Sequence, residues 1–273
     1  MSDVAMMTSR SVRVKAARRL NSRAARASER LFLAEGPQAV REALGVPGCV
    51  VEVFATSAAS DRQDELRHHA QAQGLQWHLV DEPALDSLAD TRTPQGVVAV
   101  CHFVDVRLGE LPWPDIGLLA VCANVRDPGN AGTVIRCADA AGAGAVILTG
   151  SSVDPYNAKT VRASAGSLFH LPLVAAPAVE QALATIRSHG MVVLAADGGG
   201  DVCLDDLEPA ELARRTAWLF GNEAWGLPPE IRALADHVVA VPMYGRAESL
   251  NLATAAAICL YASAREQHRD RDI

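Results

Sequence analysis

Leu118-Leu119-Ala120-Val121-Cys122-Ala123-Asn124-Val125-Arg126-Asp127-Pro128-Gly129-Asn130-Ala131-Gly132-Thr133 is the stretch that decides the fold class. Its apolar run, 118–122, reads as a buried strand. A polar turn with Pro128 and Gly129 follows, and residues 131–141 then read as a helix that Asn130 could cap. Strand, short loop and helix form the opening half of a βαβ unit. The pattern recurs downstream, with strands expected at 145–148, 191–196, 217–220 and 237–241 and helices at 157–163, 179–189, 229–234 and 252–264. Strands separated by helices predict an α/β domain with a parallel sheet covered on both faces. Ligands of such sheets sit beyond the carboxyl ends of the strands. The loops there are where chemistry is to be sought.

Upstream, a second and smaller α/β unit is expected. Strands at 31–34, 50–55, 76–80 and 97–101 alternate with helices at 37–44, 61–73 and 82–88. Residues 10–27 read as a basic helix or arm. The stretch 103–115 carries Pro112 and Pro114 and reads as a linker. The expected organisation is therefore an N-terminal domain over 1–102, a linker over 103–115 and a C-terminal domain over 116–273.

The 273 residues are 49% hydrophobic and 21% charged, enough to build a core without staples. That excludes a disulfide miniprotein, a disordered tail protein and a collagen-like repeat. No apolar run approaches the roughly 18 residues of a membrane span, and the N-terminus lacks the apolar core of a secretory signal. A cytoplasmic protein with no membrane partner is expected. The six cysteines form no CxxC pair and no zinc spacing, so they read as buried reduced thiols and no metal is expected. Net charge is −7, yet residues 1–41 hold nine basic side chains against three acidic ones, +6, leaving −13 for the rest. A basic arm on an acidic body suggests a polyanionic partner met at one end.

No GxxxxGK[ST] loop, GxSxG elbow or HExxH helix is present. Gly142 and Gly144 follow a helix and precede a strand, the reverse of the dinucleotide-binding order. Three loops remain. The first is the opening stretch, with Arg136 six residues after Asn130, so that it can reach back toward the strand end. The second, Gly221-Asn222-Glu223-Ala224-Trp225-Gly226-Leu227-Pro228, follows the 217–220 strand. The third, Val241-Pro242-Met243-Tyr244-Gly245-Arg246-Ala247-Glu248-Ser249-Leu250-Asn251-Leu252, runs into an apolar helix that Ser249 or Asn251 could cap. A helix N-terminus presents free N–H groups to a ligand.

Together these loops resemble the signature motifs of the SpoU/TrmH family of RNA ribose 2′-O-methyltransferases, in the SPOUT superfamily. The matching residues are Asn-x-Arg-Asp-Pro-Gly-Asn-x-Gly with a downstream arginine, Gly-Asn-Glu-x-x-Gly-Leu, and Pro-Met-x-Gly followed by Ser-Leu-Asn-Leu, in family order. The segment from Val161 to Pro172 also resembles a family segment. Phe32-Leu33-Ala34-Glu35-Gly36-Pro37 makes the N-terminal unit similar to the family's substrate-binding domain, which itself resembles small ribosomal RNA-binding proteins.

The resemblance implies a C-terminal trefoil knot, a homodimer and S-adenosylmethionine bound by the knot loops. It gives Gly221, Asn222, Val241, Met243 and Leu250 to the cofactor. It makes Arg136 the catalytic residue, with Asn130, Glu223, Ser249 and Asn251 orienting it and the ribose. Arginine is a poor base. Transient loss of its proton and a charged clamp on an RNA phosphate both remain open. The expected substrate is structured RNA, ribosomal rather than transfer RNA. Base N-methylation on the same scaffold and a non-catalytic RNA-binding role are the alternatives.

Overall fold

A computed structural model of the chain describes residues 6–269. The ends of the expected N- and C-terminal domains, 1–5 and 270–273, lie outside the described residues. The chain packs as two units, one of residues up to Val104 together with Tyr156–Phe169, the other of Asp105–Pro155 and His170 onward.

The first unit holds a four-stranded sheet of β1 (Leu31–Glu35), β2 (Val50–Ala55), β3 (Gln76–Leu79) and β4 (Val97–His102), in the order β1-β4-β2-β3. β4 runs antiparallel to both neighbours, whereas β2 and β3 are parallel. The basic arm is two helices, Val12–Arg19 and Arg23–Glu29, broken at residues 20–22 where Ser22 caps the second. The single helix expected at 61–73 is likewise divided, into Ser57–Arg62 and Asp64–Ala72, with Thr56 capping the first piece. Arg10, Arg13, Lys15, Arg18, Arg19, Arg23, Arg30 and Arg41 are exposed. Arg26 is not. It is buried, and its guanidinium donates to the carbonyls of Leu20 (2.8 Å) and Asn21 (3.1 Å), a structural tie across the helix break.

Residues 156–169, expected in the C-terminal domain, pack into this first unit for a physical reason. Tyr156 stacks on Phe103 with ring centroids 3.8 Å apart and leans on Phe32 at 4.7 Å. Its hydroxyl accepts the Val104 N–H at 2.9 Å. Arg162 bridges Glu35 (3.3 Å) and Asp90 (3.0 Å). Gly166 stands at φ +99°, where a Cβ would meet Glu42 Cγ at 2.6 Å, so only glycine lets the segment close.

The second unit holds seven parallel strands: β5 (Leu118–Ala123), β6 (Ala145–Thr149), β7 (Leu173–Ala175), β8 (Val192–Ala196), β9 (Val202–Cys203), β10 (Thr216–Phe220) and β11 (His237–Ala240). Their order is β7-β6-β5-β10-β8-β11-β9. β7 and β9 were not expected; each is too short to show a periodicity. β5, β6 and β10 are buried at every position, as a sheet covered on both faces requires. Residues 105–115, read as linker, pack into this unit. Leu108, Leu111 and Trp113 join its core, and the Arg215 guanidinium takes the carbonyls of Trp113, Ile116 and His189. The closing helix, Leu252–Gln267, buries Ala253, Ala256, Cys259, Leu260 and Ala264. Its buried Ser263 is explained by Trp218, whose indole N–H donates to the hydroxyl at 2.9 Å.

All six cysteines are free, four of them buried, with Cys137 and Cys203 half-buried. Among the described residues no helix is long and apolar enough to cross a membrane.

Candidate active site

β5, β10 and β11 end at the same edge of the parallel sheet, and each releases one of the three loops. After β5, Asp127 rather than Asn130 is the N-cap of the helix Pro128–Ala140, its carboxylate accepting the Asn130 N–H at 2.8 Å. Pro128 fits the first turn, where its missing N–H costs nothing. Asn130 thereby lies inside the first turn, and its side chain is released from capping.

Before the closing helix Asn251 is the N-cap, its Oδ1 accepting from Ala253 N–H (2.9 Å) and Thr254 N–H (3.4 Å). Its Nδ2 donates to Asn130 Oδ1 at 2.9 Å, and Asn130 Nδ2 donates to Glu223 Oε1 at 3.2 Å. The direction of this chain follows from chemistry. The helix N-terminus offers only donors, so Asn251 must present its oxygen there and its amide to Asn130. Asn130 must then show its oxygen to Asn251 and its amide to Glu223. The chain ends on an acceptor-only carboxylate.

Glu223 also accepts the backbone N–H groups of Asp127 (3.0 Å) and Arg126 (3.1 Å). Partial burial pushes its carboxyl up. Hydrogen bonds from its own N–H, from Arg126, from the Asn130 amide and from Asp127 outweigh that and hold it below the ordinary value of 4.5. Thus three segments distant in sequence are joined through one carboxylate. The neighbouring Cys122 thiol is pushed up to about 12, by burial first and then by the Glu223 charge, and is no nucleophile.

The second loop is a tight hairpin. Asn222 and Gly226 exchange backbone hydrogen bonds at 2.9 Å, and Asn222 Nδ2 donates to the Asn124 carbonyl at 2.8 Å. A Cβ on Gly221 would lie 2.4 Å from the Gly226 carbonyl carbon, so the hairpin closes only with glycine there.

Beside this junction is a cavity of about 430 Å³, within the range that holds cofactor-sized ligands. Gly221, Asn222, Val241, Met243 and Leu250, the five residues expected at the cofactor, all line it, as do Glu223 and Ser249. Ser249 therefore lines the cavity and caps nothing. Asp197, Gly198, Gly199, Trp225 and Glu248 also line it and were missed. The Asp-Gly-Gly-Gly run at 197–200 follows β8 directly, so the strand-end rule that drew attention to the other loops would have found it. Asp197 Oδ1 accepts the Gly199 N–H at 2.9 Å and lies 3.5 Å from the Arg232 guanidinium.

The lining combines Val241, Met243, Leu250, Leu252 and Ala255 with the carboxylates of Asp197, Glu223 and Glu248. Apolar walls with an acidic excess suit a ligand that carries a positive charge within an apolar body. Arg136 is not brought to this cavity. It stands exposed on its helix and makes no hydrogen bond or ion pair among the described residues.

A parallel α/β sheet with a small-molecule cavity at its carboxyl edge, joined to a mixed-sheet unit that carries the basic arm, fits a class: a cofactor-dependent enzyme with a segment suited to a polyanion. The particular family follows from comparison. The chain matches the SpoU rRNA Methylase family over residues 117–261 and the MRM3-like substrate binding domain over residues 12–99. It belongs to the SpoU rRNA methylase family. It is 34% identical to the 23S rRNA (guanosine(2553)-2′-O)-methyltransferase RlmP of Bacillus subtilis, covering 91% of this chain and 94% of that one. Among solved structures it resembles an AdoMet-bound rRNA methyltransferase from Sinorhizobium meliloti, with TM-score 0.82, 31% identity and coverage of 98% and 99%. It also resembles the SpoU methyltransferase AviRb from Streptomyces viridochromogenes in complex with AdoMet, with TM-score 0.82, 30% identity and coverage of 95% and 100%.

Proposed function

We propose that the chain is an S-adenosylmethionine-dependent enzyme that methylates a ribose 2′-hydroxyl of ribosomal RNA in the cytoplasm. The observation that carries this reading is the Asn251–Asn130–Glu223 chain, which ties the three family loops together beside a cavity lined by Gly221, Asn222, Val241, Met243 and Leu250. The cofactor, when bound, supplies an electrophilic methyl on a sulfonium and its own leaving group. The cavity's carboxylates favour that positive charge, and its apolar residues accept the rest of the molecule. Asn130, held from both sides, fixes the loop that faces the acceptor.

Arg136 is assigned to the acceptor side, clamping an RNA phosphate and stabilising charge as it develops on the 2′-oxygen. Its absence from the cavity of its own chain points to a homodimer in which it serves the second copy. Ile258 (39% exposed) and Tyr261 (52% exposed) leave an apolar stripe on the closing helix, and Tyr261 donates to the Ala140 carbonyl of the Arg136 helix. A second copy packed on that stripe would cover both helices. The interleaved strand order β5-β10-β8-β11 supports a knotted C-terminal passage within the same reading. The exposed bases of the arm supply phosphate contacts, and RNA affinity should fall steeply with salt.

The test is to map ribose methylations in ribosomal RNA from cells with and without the gene, then restore the lost one with purified protein and cofactor. Loss and restoration of a single 2′-O-methyl group is expected. A methylated base at an unmodified ribose, or no change in modification, would overturn the reading.

A further inference from the structure

We infer that Trp225 is a stacking platform for the base of the target nucleotide, and so positions the acceptor ribose at the cavity. The inference rests on the proposed reaction. Of four tryptophans, Trp113 and Trp218 are buried and Trp77 is half-buried, whereas Trp225 is 60% exposed. It also lines the cavity, two residues from Glu223. A large indole left open to water at the edge of a binding cavity is unusual, and it contrasts with Trp218 and Phe220, which the strand leading into the same loop buries fully.

The platform is rigid where it has to be. Trp225 sits inside the hairpin closed by the two Asn222–Gly226 bonds, and the Ala224 N–H is held by Asn222 Oδ1 at 2.8 Å. Asn222 in turn is anchored to Asn124. The carboxylate that joins the three loops and the exposed indole therefore share one short, fixed backbone.

Recognition of one nucleotide favours such a group. Sequence-specific binding to RNA targets loops and bulges whose bases are splayed out, and a base that has left its stack is held by stacking on an aromatic side chain. Every base has a π-face, so an indole can hold it without hydrogen-bond readout. Stacking acts on the RNA before and during transfer, so its loss should raise KM far more than it lowers kcat.

The experiment uses full-length protein, S-adenosylmethionine and an RNA fragment containing the mapped target. Trp225→Ala is expected to raise KM for RNA by roughly 5- to 150-fold, the range for one base–aromatic stack, with kcat within about threefold of wild type. Trp225→Phe should recover most of that loss. The affinity for S-adenosylhomocysteine should be unchanged in both. With an RNA that is abasic at the target position, wild type and Trp225→Ala should become equal, because the partner of the indole is gone. Weakened S-adenosylhomocysteine binding would instead make Trp225 a cofactor contact. A change in oligomeric state would make it a subunit contact. An unchanged KM, or a penalty that persists on the abasic RNA, would remove it from base recognition. Each of these outcomes overturns the inference. Failure of wild-type protein to methylate the ribose would overturn the proposed function and, with it, this inference, whereas the outcomes above overturn the inference alone, so the two failures are distinguishable.

Discussion

Replacing Asn251 by Asp separates the two jobs this side chain performs. Aspartate caps a helix about as well as asparagine, so the bonds to Ala253 and Thr254 should persist. The donor toward Asn130 is lost, and an oxygen faces the Asn130 oxygen instead. Leaving Asn130 in place forfeits a 2.9 Å hydrogen bond, about 0.5–1.5 kcal/mol, and adds repulsion. Rotating its amide removes the repulsion but turns its oxygen onto Glu223, forfeiting a hydrogen bond to a charged group, about 1.5–3 kcal/mol. The side chains are partly exposed and solvent screens the charge. The expected net loss is about 1–2 kcal/mol. For a unit of this size that corresponds to a fall of about 2–8 °C in Tm. Where the same geometry holds the active loops, it corresponds to roughly a 5- to 30-fold loss of kcat/KM.

The informative variant is the double one. In Glu223→Gln with Asn251→Asp, the new amide at 223 can donate to a rotated Asn130, whose own amide then donates to position 251. The chain runs in reverse. Glu223→Gln alone gives up an acceptor needed by Asp127 or Arg126, so the double variant is not wild type, but it should be better than the sum of the singles by about 1 kcal/mol. Urea unfolding of the four proteins and transfer of labelled methyl to RNA would measure this. Strict additivity, within about 0.3 kcal/mol, would refute a directional chain, as would full activity in Asn251→Asp.

Gly221→Ala should abolish cofactor binding, read by calorimetry with S-adenosylhomocysteine, because its Cβ would sit 2.4 Å from the Gly226 carbonyl carbon and splay the hairpin. The depressed Glu223 carboxyl contributes stability that is present above 4.5 and lost as pH falls through its folded value; melting scans across that window should show a steeper acid loss for wild type than for Glu223→Gln. Arg136→Ala should lose methyl transfer and keep cofactor affinity. Mixed with a cofactor-blocked Leu250→Trp variant, it should regain activity through heterodimers if Arg136 serves the second copy, and stay inactive if it serves its own. Methyl transfer should survive EDTA on an RNA that folds without magnesium, since a sulfonium needs no Lewis acid to leave.

The parallel sheet was legible because its evidence is local. Runs such as 118–122 and 217–220 are apolar without interruption, and they give way to turn residues and then to helices. What was illegible is what packing decides across long separations. Asn130 looked like a cap because it stands just ahead of the apolar-periodic residues. Asp127 wins because Pro128 starts the helix one turn earlier, and that frees Asn130 to bind residues 93 and 121 positions away. Residues 156–169 read as part of the second domain because nothing in their own pattern announces Phe32 and Phe103 as neighbours. Arg26 counted toward the basic arm, since no sequence rule says that a break at 20–22 would need a guanidinium to hold its carbonyls.

The site was more legible than the packing around it, and for a reason that concerns charge and geometry rather than fold. A helix N-terminus that must be capped, a carboxylate that must be satisfied and two carboxamides that can pass a hydrogen bond in one direction only are each readable as residue types. Their joint arrangement admits few solutions once three strand ends share one edge. Arg136 is the exception that follows from the same logic. Exposed and making no hydrogen bond or ion pair among the described residues, it is an expected site residue that no such constraint fixes. On the proposed reading, what holds it in place comes from outside the chain that carries it, from RNA phosphate, from a second copy, or from both.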